Sequence, residues 1–368
     1  MSRKIFNIFK AILFLYIFLL SIHLMGDSFK LFGKGFARAL ITTTSHPIVS
    51  LFIGILATSI IQSSSTTTSM IVSLCSCGAL TIHNAVPMVM GANIGTTVTN
   101  TIVSFAQITR KDEFERGFSA ALVHDFFNIT IVAIFLPLEM MTGFLQKIAT
   151  FSANLIAGSA NVAFHSPIKT IVKPVGEVVA GSIAELVKEP VLGGVVLLVV
   201  SLIFLFLALW QLVNTMKEVA LNKTEIAINN VIGKAPIIGI LVGAVFTMII
   251  QSSSITTSIM VPMAGAGLVT LATIFPITLG ANIGTTFTAI LASLAGNKLG
   301  LTIALVHLFF NTFGVMVIYP VAPIRNFFLR HVEEFSHTIA KNRKLAVVYV
   351  FSVFFLIPGL IIFLPRIF

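Results

Sequence analysis

The feature that most constrains this chain is a polar motif that occurs twice, each time at the end of a short apolar run. Gln62-Ser63-Ser64-Ser65-Thr66-Thr67-Thr68-Ser69 recurs as Gln251-Ser252-Ser253-Ser254-Ile255-Thr256-Thr257-Ser258, an offset of 189 residues. Gly91-Ala92-Asn93-Ile94-Gly95-Thr96-Thr97 recurs unchanged as Gly280 to Thr286 at the same offset, as do Gly54 and Gly243, Thr58 and Thr247, and Pro87 and Pro276. A third block, His124-Asp125-Phe126-Phe127-Asn128, returns as His307-Leu308-Phe309-Phe310-Asn311, now 183 residues on. Chance does not hold such a register, so the chain is a fused pair of related halves.

The runs that lead into the two QSSS motifs, Pro47–Ile61 and Pro236–Ile250, have 15 residues each. At 1.5 Å per residue a helix of that length reaches about 22 Å, short of the roughly 20 residues a bilayer crossing needs. Each is followed by polar residues and a second short apolar arm. That pattern predicts a re-entrant helical hairpin with its tip near mid-membrane, tolerated where the tip faces protein or a watery cavity. Composition supports a membrane setting: 57% of the 368 residues are hydrophobic and only 10% are charged, against roughly 25% in soluble domains. The expected fold is therefore an all-α polytopic membrane protein of two inverted-topology repeats, each carrying one re-entrant hairpin.

In the expected threading the N-terminus is cytoplasmic and residues 1–30 form a retained first span, with no small-x-small cleavage site after it. Repeat 1 covers 31–140: a hairpin from outside, then crossings at Val86–Gln107 and Phe118–Leu138. Residues 141–221 form an extracellular connector and a linking span at Pro190–Val213. Repeat 2 covers 222–323: a hairpin from inside, then crossings at Pro276–Leu294 and Leu301–Pro320. Residues 324–368 form a basic cytoplasmic segment and a last span, Leu345–Leu364. This places 14 of the 23 Lys and Arg inside, a modest bias in the direction of the positive-inside rule. The net charge of +10 is thereby assigned to topology and lipid headgroups rather than to nucleic acid. Cys75 and Cys77 are two apart on one helix, poor geometry for a disulfide.

The polar motifs carry the chemistry. Hydroxyls in a membrane helix can simply bond back to its carbonyls. Two clusters at symmetric tips can do more. A tip frees N–H groups at the start of its second arm, at the positive end of the helix dipole. Opposed tips would make a donor-rich pocket for an oxyanion from Ser63, Ser64, Ser65, Ser252, Ser253 and Ser254. The same hydroxyls, with the oxygens of Gln62 and Gln251, can ligate a hard cation, and broken helices at a repeat interface are usual sodium-coupled sites. In the GANIGTT blocks Asn93, Thr96, Asn282 and Thr285 offer further oxygens, and the glycines permit close helix packing. Asp125, in an apolar stretch, has Leu308 as its counterpart and is a functional candidate; a pair with His124, or a position near the end of the span, is its plain alternative. No His/Cys cluster has metal-ligand spacing, no Walker motif is present, and no nucleophile–base arrangement stands out, so no enzyme and no cofactor is expected beyond sodium as coupling ion.

These residues resemble the type II sodium–phosphate cotransporters, the family of the animal renal and intestinal phosphate carriers and their bacterial relatives. The resemblance runs through both QSSS and both GANIGTT blocks and through Thr99–Glu139, with its TNTIV, HDFFN and LPLE strings. It implies phosphate at the paired tips and sodium at Gln251, Ser252, Thr285 and Thr288. In the family an aspartate in the HDFFN block accompanies electrogenic transport with an additional sodium, which Asp125 supplies here. Gln107 and Asn128 match other positions of that site, while Arg110 stands where an acidic residue can occur. The connector 142–189 is short and lacks cysteine, as in a compact bacterial member. The resemblance thus implies a sodium-coupled phosphate symporter of a bacterial inner membrane, with phosphate, sodium and lipid as partners and a homodimer as one option. A carrier of another small anion and a passive anion channel stay open.

Overall fold

A computed structural model describes residues 3–157, 167–231 and 236–363, and among these every regular element is helical. The first half contains α1 (Arg3–Leu31), α2 (Gly33–Thr43), α3 (Pro47–Ile61), α4 (Ser64–Ser76), α5 (Ile82–Thr96), α6 (Val98–Ser104), α7 (Lys111–Thr142) and α8 (Phe144–Ala157). There follow α9 (Pro167–Leu186), α10 (Pro190–Val231), α11 (Pro236–Ile250), α12 (Ser253–Gly265), α13 (Leu271–Leu294), α14 (Lys298–Ile318), α15 (Ala322–Lys341), α16 (Lys344–Phe351) and α17 (Ile357–Phe363). A π-helical turn at 352–356 joins the last two.

Six described helices are long and apolar enough to cross a membrane: Ile5–Leu31, Lys111–Thr142, Pro190–Thr215, Leu271–Leu294, Lys298–Ile318 and Lys344–Phe363. There is a seventh crossing if α2 and α3, bent by 103° at their break, count as one span. Exposed Ile, Leu, Val and Phe side chains run along α10 and α16. Contiguous apolar surface of that kind is rare on a soluble monomer and suits contact with lipid.

The stretch Val86–Gln107 is not one uniform helix: it divides into α5, α6 and a 3₁₀ turn at 105–107. Thr97 stays right-handed, but its N–H bonds Ile94 and its carbonyl accepts from Asn100 N at 3.0 Å, so the ladder tightens there. Helix α10 runs without interruption through residue 222, where the sequence placed the start of the second half.

Both breaks at the QSSS motifs have the same local cause. Each first arm begins with a proline, which fits the first turn, at Pro47 and Pro236. It ends at a glutamine in the left-handed region: Gln62 at φ 59° and Gln251 at φ 62°, the only non-glycine residues with positive φ among those described. The next serine is extended and caps the second arm, Ser63 accepting from Thr66 N at 3.2 Å and Ser252 from Ile255 N at 3.4 Å.

The first arms then pack on the GANIGTT helices without space for side chains. A Cβ at Gly91 would collide with the carbonyl of Leu51, and one at Gly280 with that of Ile240. Gly54 and Gly243 face Met88 O and Ile277 O in the same way. These glycines are a packing device, and it is duplicated.

Candidate functional site

The two breaks meet. Ser65 Oγ donates to the carbonyl of Gln251 at 3.1 Å and lies 3.4 Å from Thr288 Oγ1. Thr288 in turn donates to Gln251 Oε1 at 2.8 Å. The counterpart pair in the first half is Thr99 donating to Gln62 Oε1 at 2.9 Å. So each glutamine, held left-handed by the turn, points its amide oxygen at a threonine just beyond the GANIGTT block of its own half. Ser64, Ser65, Ser253 and Gln251 are buried, Ser63, Ser252 and Ser254 are half-buried, and Gln62 is exposed. Ser63 is already engaged, accepting from Thr66 Oγ1 at 2.9 Å.

Beneath the tips lies a buried network that ties each half to the other. His124 Nε2 is 2.6 Å from Asn282 Oδ1; an amide oxygen only accepts, so the imidazole donates. Asn282 Nδ2 donates to Asn128 Oδ1 at 2.7 Å, and Asn128 Nδ2 donates to the carbonyl of Asn93 at 2.9 Å. With roles exchanged, His307 Nε2 lies 3.3 Å and Asn311 Nδ2 3.2 Å from Asn93 Oδ1. The histidine and asparagine of one half thus hold the GANIGTT asparagine of the other. Such reciprocity is what a two-fold relation between halves produces. Asn93 and Asn282 are both buried and both committed to these bonds.

The remaining sequence candidates fall into separate places. Asp125 is fully buried. It does not pair with His124; its Oδ2 accepts from Thr101 Oγ1 at 3.2 Å and from Tyr349 OH at 3.1 Å, while Oδ1 has no hydrogen-bond partner. Gln107 is wedged against Gly117 and Gly265, with Nε2 3.4 Å from the carbonyl of Pro262. Asn128 belongs to the inter-half network. The three are therefore not in one hydrogen-bonded cluster. Thr96 Oγ1 bonds back to Ala92 O at 2.8 Å, whereas Thr285 Oγ1 is buried without a partner. Tyr349 and Asn100 were not singled out from sequence. Tyr349 sits outside both repeats, and Asn100 has no asparagine counterpart, so neither carried a repeat signal. Among the described residues no group of His, Cys, Asp and Glu could hold a metal ion.

Comparison with known proteins decides the family. The model of the Na+/Pi-cotransporter family matches residues 17–161 and 203–327.

The chain belongs to the Na+/Pi-cotransporter family.

It is 34% identical to sodium-dependent phosphate transport protein 2A of Rattus norvegicus, over 95% of this chain and 66% of that protein. It is 31% identical to sodium-dependent phosphate transport protein 2B of Pongo abelii, over 94% of this chain and 63% of that protein. The 2A protein of Mus musculus is 32% identical over 98% of this chain and 68% of its own length. The chain thus spans about two thirds of these relatives. No solved structure matches it. The family segments contain both QSSS tips, both GANIGTT helices and the His–Asn network, while Tyr349 lies beyond them.

Proposed function

We propose that this family member is a secondary transporter that couples inward sodium movement to uptake of inorganic phosphate by alternating access. The observation that carries the reading is the contact of the two tips, Ser65 on Gln251 and Thr288, in a chain whose relatives are named for sodium-dependent phosphate transport. Phosphate is assigned to the tip serines, Ser63 to Ser65 and Ser252 to Ser254, and to the neighbourhood of Asn93 and Asn282. First-turn N–H groups of α4 and α12 supply donors there. No Arg or Lys belongs to the assigned phosphate set, so a divalent anion needs sodium beside it. Gln62, Gln251, Ser252, Thr96, Thr285 and Thr288 offer oxygen ligands for that ion. Asp125, together with Gln107 and Asn128, is assigned to an additional sodium that makes the cycle electrogenic.

The two halves are read as inverted repeats with re-entrant hairpins α3–α4 and α11–α12. Between the hairpins lie three crossings, α5–α6, α7 and α10, and an odd number places them on opposite sides of the bilayer. The reciprocal His–Asn bonds support the same relation. The N-terminus is assigned to the cytoplasm of a bacterial cell and the chain to its inner membrane.

The test is uptake of radiolabelled phosphate into proteoliposomes. Uptake should require an inward sodium gradient, and uptake unchanged when choline replaces sodium would end the reading. Flux that depends on sodium but is carried by another oxyanion in competition would reassign the cargo. Passive flux with no concentration against a gradient would make the chain a channel. A second prediction concerns charge. Asp125→Gly should retain phosphate uptake and lose net current, and unaltered current per phosphate would remove Asp125 from the ion site.

A further inference from the structure

The two halves differ at one buried position in a way that matters. In the first half Asn100, on α6, is a latch: its Oδ1 accepts from Thr257 Oγ1 at 2.9 Å and Ser258 Oγ at 3.0 Å, both on α12. Its Nδ2 lies 3.1 Å from His124 Nδ1 on α7. Since His124 donates from Nε2, its Nδ1 carries the lone pair and Asn100 donates to it. One carboxamide thereby joins the second arm of one tip to the inter-half network.

At the offset of 189 the counterpart of Asn100 is Ala289, the counterpart of Ser258 is Ser69, and His307 stands for His124. Ala289 has no carboxamide. Two of the polar atoms that a carboxamide there would satisfy are orphaned: Ser69 Oγ and His307 Nδ1 are buried and have no hydrogen-bond partner. The surrounding helices are placed alike in the two halves. A Cβ on Gly117 would come 3.4 Å from Val261 O, and one on its counterpart Gly300 would come 3.4 Å from Val72 O, the residue equivalent to Val261. Thr99 and Thr288, each one residue before the position in question, bond Gln62 and Gln251 at 2.9 and 2.8 Å. The frame is preserved and a single side chain is replaced by a smaller one.

We propose that the niche beside Ala289 is a built hydration site, in which one buried water bridges Ser69 and His307 and stands in for the missing carboxamide. The space released by replacing Asn with Ala suits one water, whose share of liquid volume is about 30 Å³, and buried waters take two to four polar partners. The chemistry favours water over a sodium ion. His307 donates from Nε2 to Asn93, so its Nδ1 offers a lone pair that needs a hydrogen-bond donor, and the niche contains no carboxylate to offset a bare cation. Water donates to Nδ1 and takes up the hydroxyl of Ser69. The consequence is an asymmetry of the tips: α12 is latched by a protein side chain, and α4 is held through an exchangeable molecule. This inference does not depend on what the chain carries.

The experiment uses the full chain in nanodiscs with two variants, Ala289→Asn and Ala289→Val. The asparagine should restore the latch and raise the melting midpoint by about 2 °C, since a buried hydrogen bond is worth roughly that in a chain of this size. In the parent protein α12 should exchange its amides more slowly than α4, and the asparagine should bring α4 down towards α12. The valine displaces the water and supplies no partner, and should lower the midpoint. A lower midpoint with asparagine, or a higher one with valine, overturns the proposal, because the niche is then dry or closed. If the extra stabilisation of the parent by sodium over choline disappears in Ala289→Asn alone, the occupant is an ion and the assignment to water fails.

Discussion

At the scale of single residues, the repeat signal was legible and the partners were not. The offset of 189 pairs the corresponding residues, and the glycines of the GANIGTT blocks are expected to permit close packing. Their surroundings decide for packing: Gly280 sits against the backbone of Ile240 and Ala244. A methyl there has nowhere to go but into backbone, the costly kind of overpacking, typically about 1–3 kcal/mol. Gly280→Ala should therefore lower the thermal midpoint in detergent markedly, while Gly359→Ala, with nothing within 4 Å of the added Cβ, should leave it unchanged. Equal midpoints for the two would mean that α11 and α13 do not approach as described. The asparagines of the same blocks were expected as oxygen donors, yet their amides are taken up by His124, Asn128, His307 and Asn311 across the halves. Internal homology says that Asn93 corresponds to Asn282. It does not say which face of the other half each one meets, because that depends on packing between segments far apart in the chain.

At the scale of elements, the short arms, the break after each QSSS and most spans could be read from length and apolar runs. The division of α5 from α6 could not, since neither Gly nor Pro stands at Thr97 to mark it. Nor could the helices α8 and α9 of the connector, which lie outside the repeated sequence blocks. The last span was legible, at Lys344–Phe363, but its contact with the site was not. Tyr349 on α16 reaches Asp125 from outside both repeats, 224 residues away in sequence. Its ring packs on Phe335 at 5.6 Å and Phe354 at 6.3 Å, and the π-turn that begins at Ser352 follows at once; such turns are frequent at functional sites. The hydroxyl holds Oδ2 and leaves Oδ1 without a partner, so it is a positioning residue for the carboxylate that the proposed extra sodium requires. Tyr349→Phe keeps the ring contacts and removes that donor. A hydrogen bond to a carboxylate is worth about 1.5–3 kcal/mol, so the sodium concentration for half-maximal uptake should rise roughly tenfold with the phosphate KM unchanged. A purely structural role would instead lower the melting midpoint and leave the sodium dependence as it was.

At the scale of the whole molecule, reciprocity reaches the outer ends of the second arms. Asn297, at the start of α14, donates to the carbonyl of Ser76 at 2.7 Å and so closes the end of α4. Arg116, on the helix equivalent to α14, donates to the carbonyl of Gly265, the residue equivalent to Ser76, from Nη2 at 2.6 Å and so closes the end of α12. The two clasps lie beside cavities of different size. The one at Arg116, with Ser119 and Thr270, has a volume of about 430 Å³; the one at Ser76, with Ser73, Cys77 and Gly296, has about 40 Å³. If the halves alternate, weakening one clasp opens its own side at the expense of the other, because the two states share one equilibrium. Cys77, half-buried in the smaller cavity and without a disulfide, reports on that equilibrium. Asn297→Ala should speed its modification by a small water-soluble thiol reagent, followed by mass spectrometry of the peptide, and Arg116→Ala should slow it. A few-fold change in opposite directions corresponds to about 1 kcal/mol on each clasp. Should both substitutions speed the labelling, the clasps merely stiffen the fold, and alternation between inverted halves loses its structural basis.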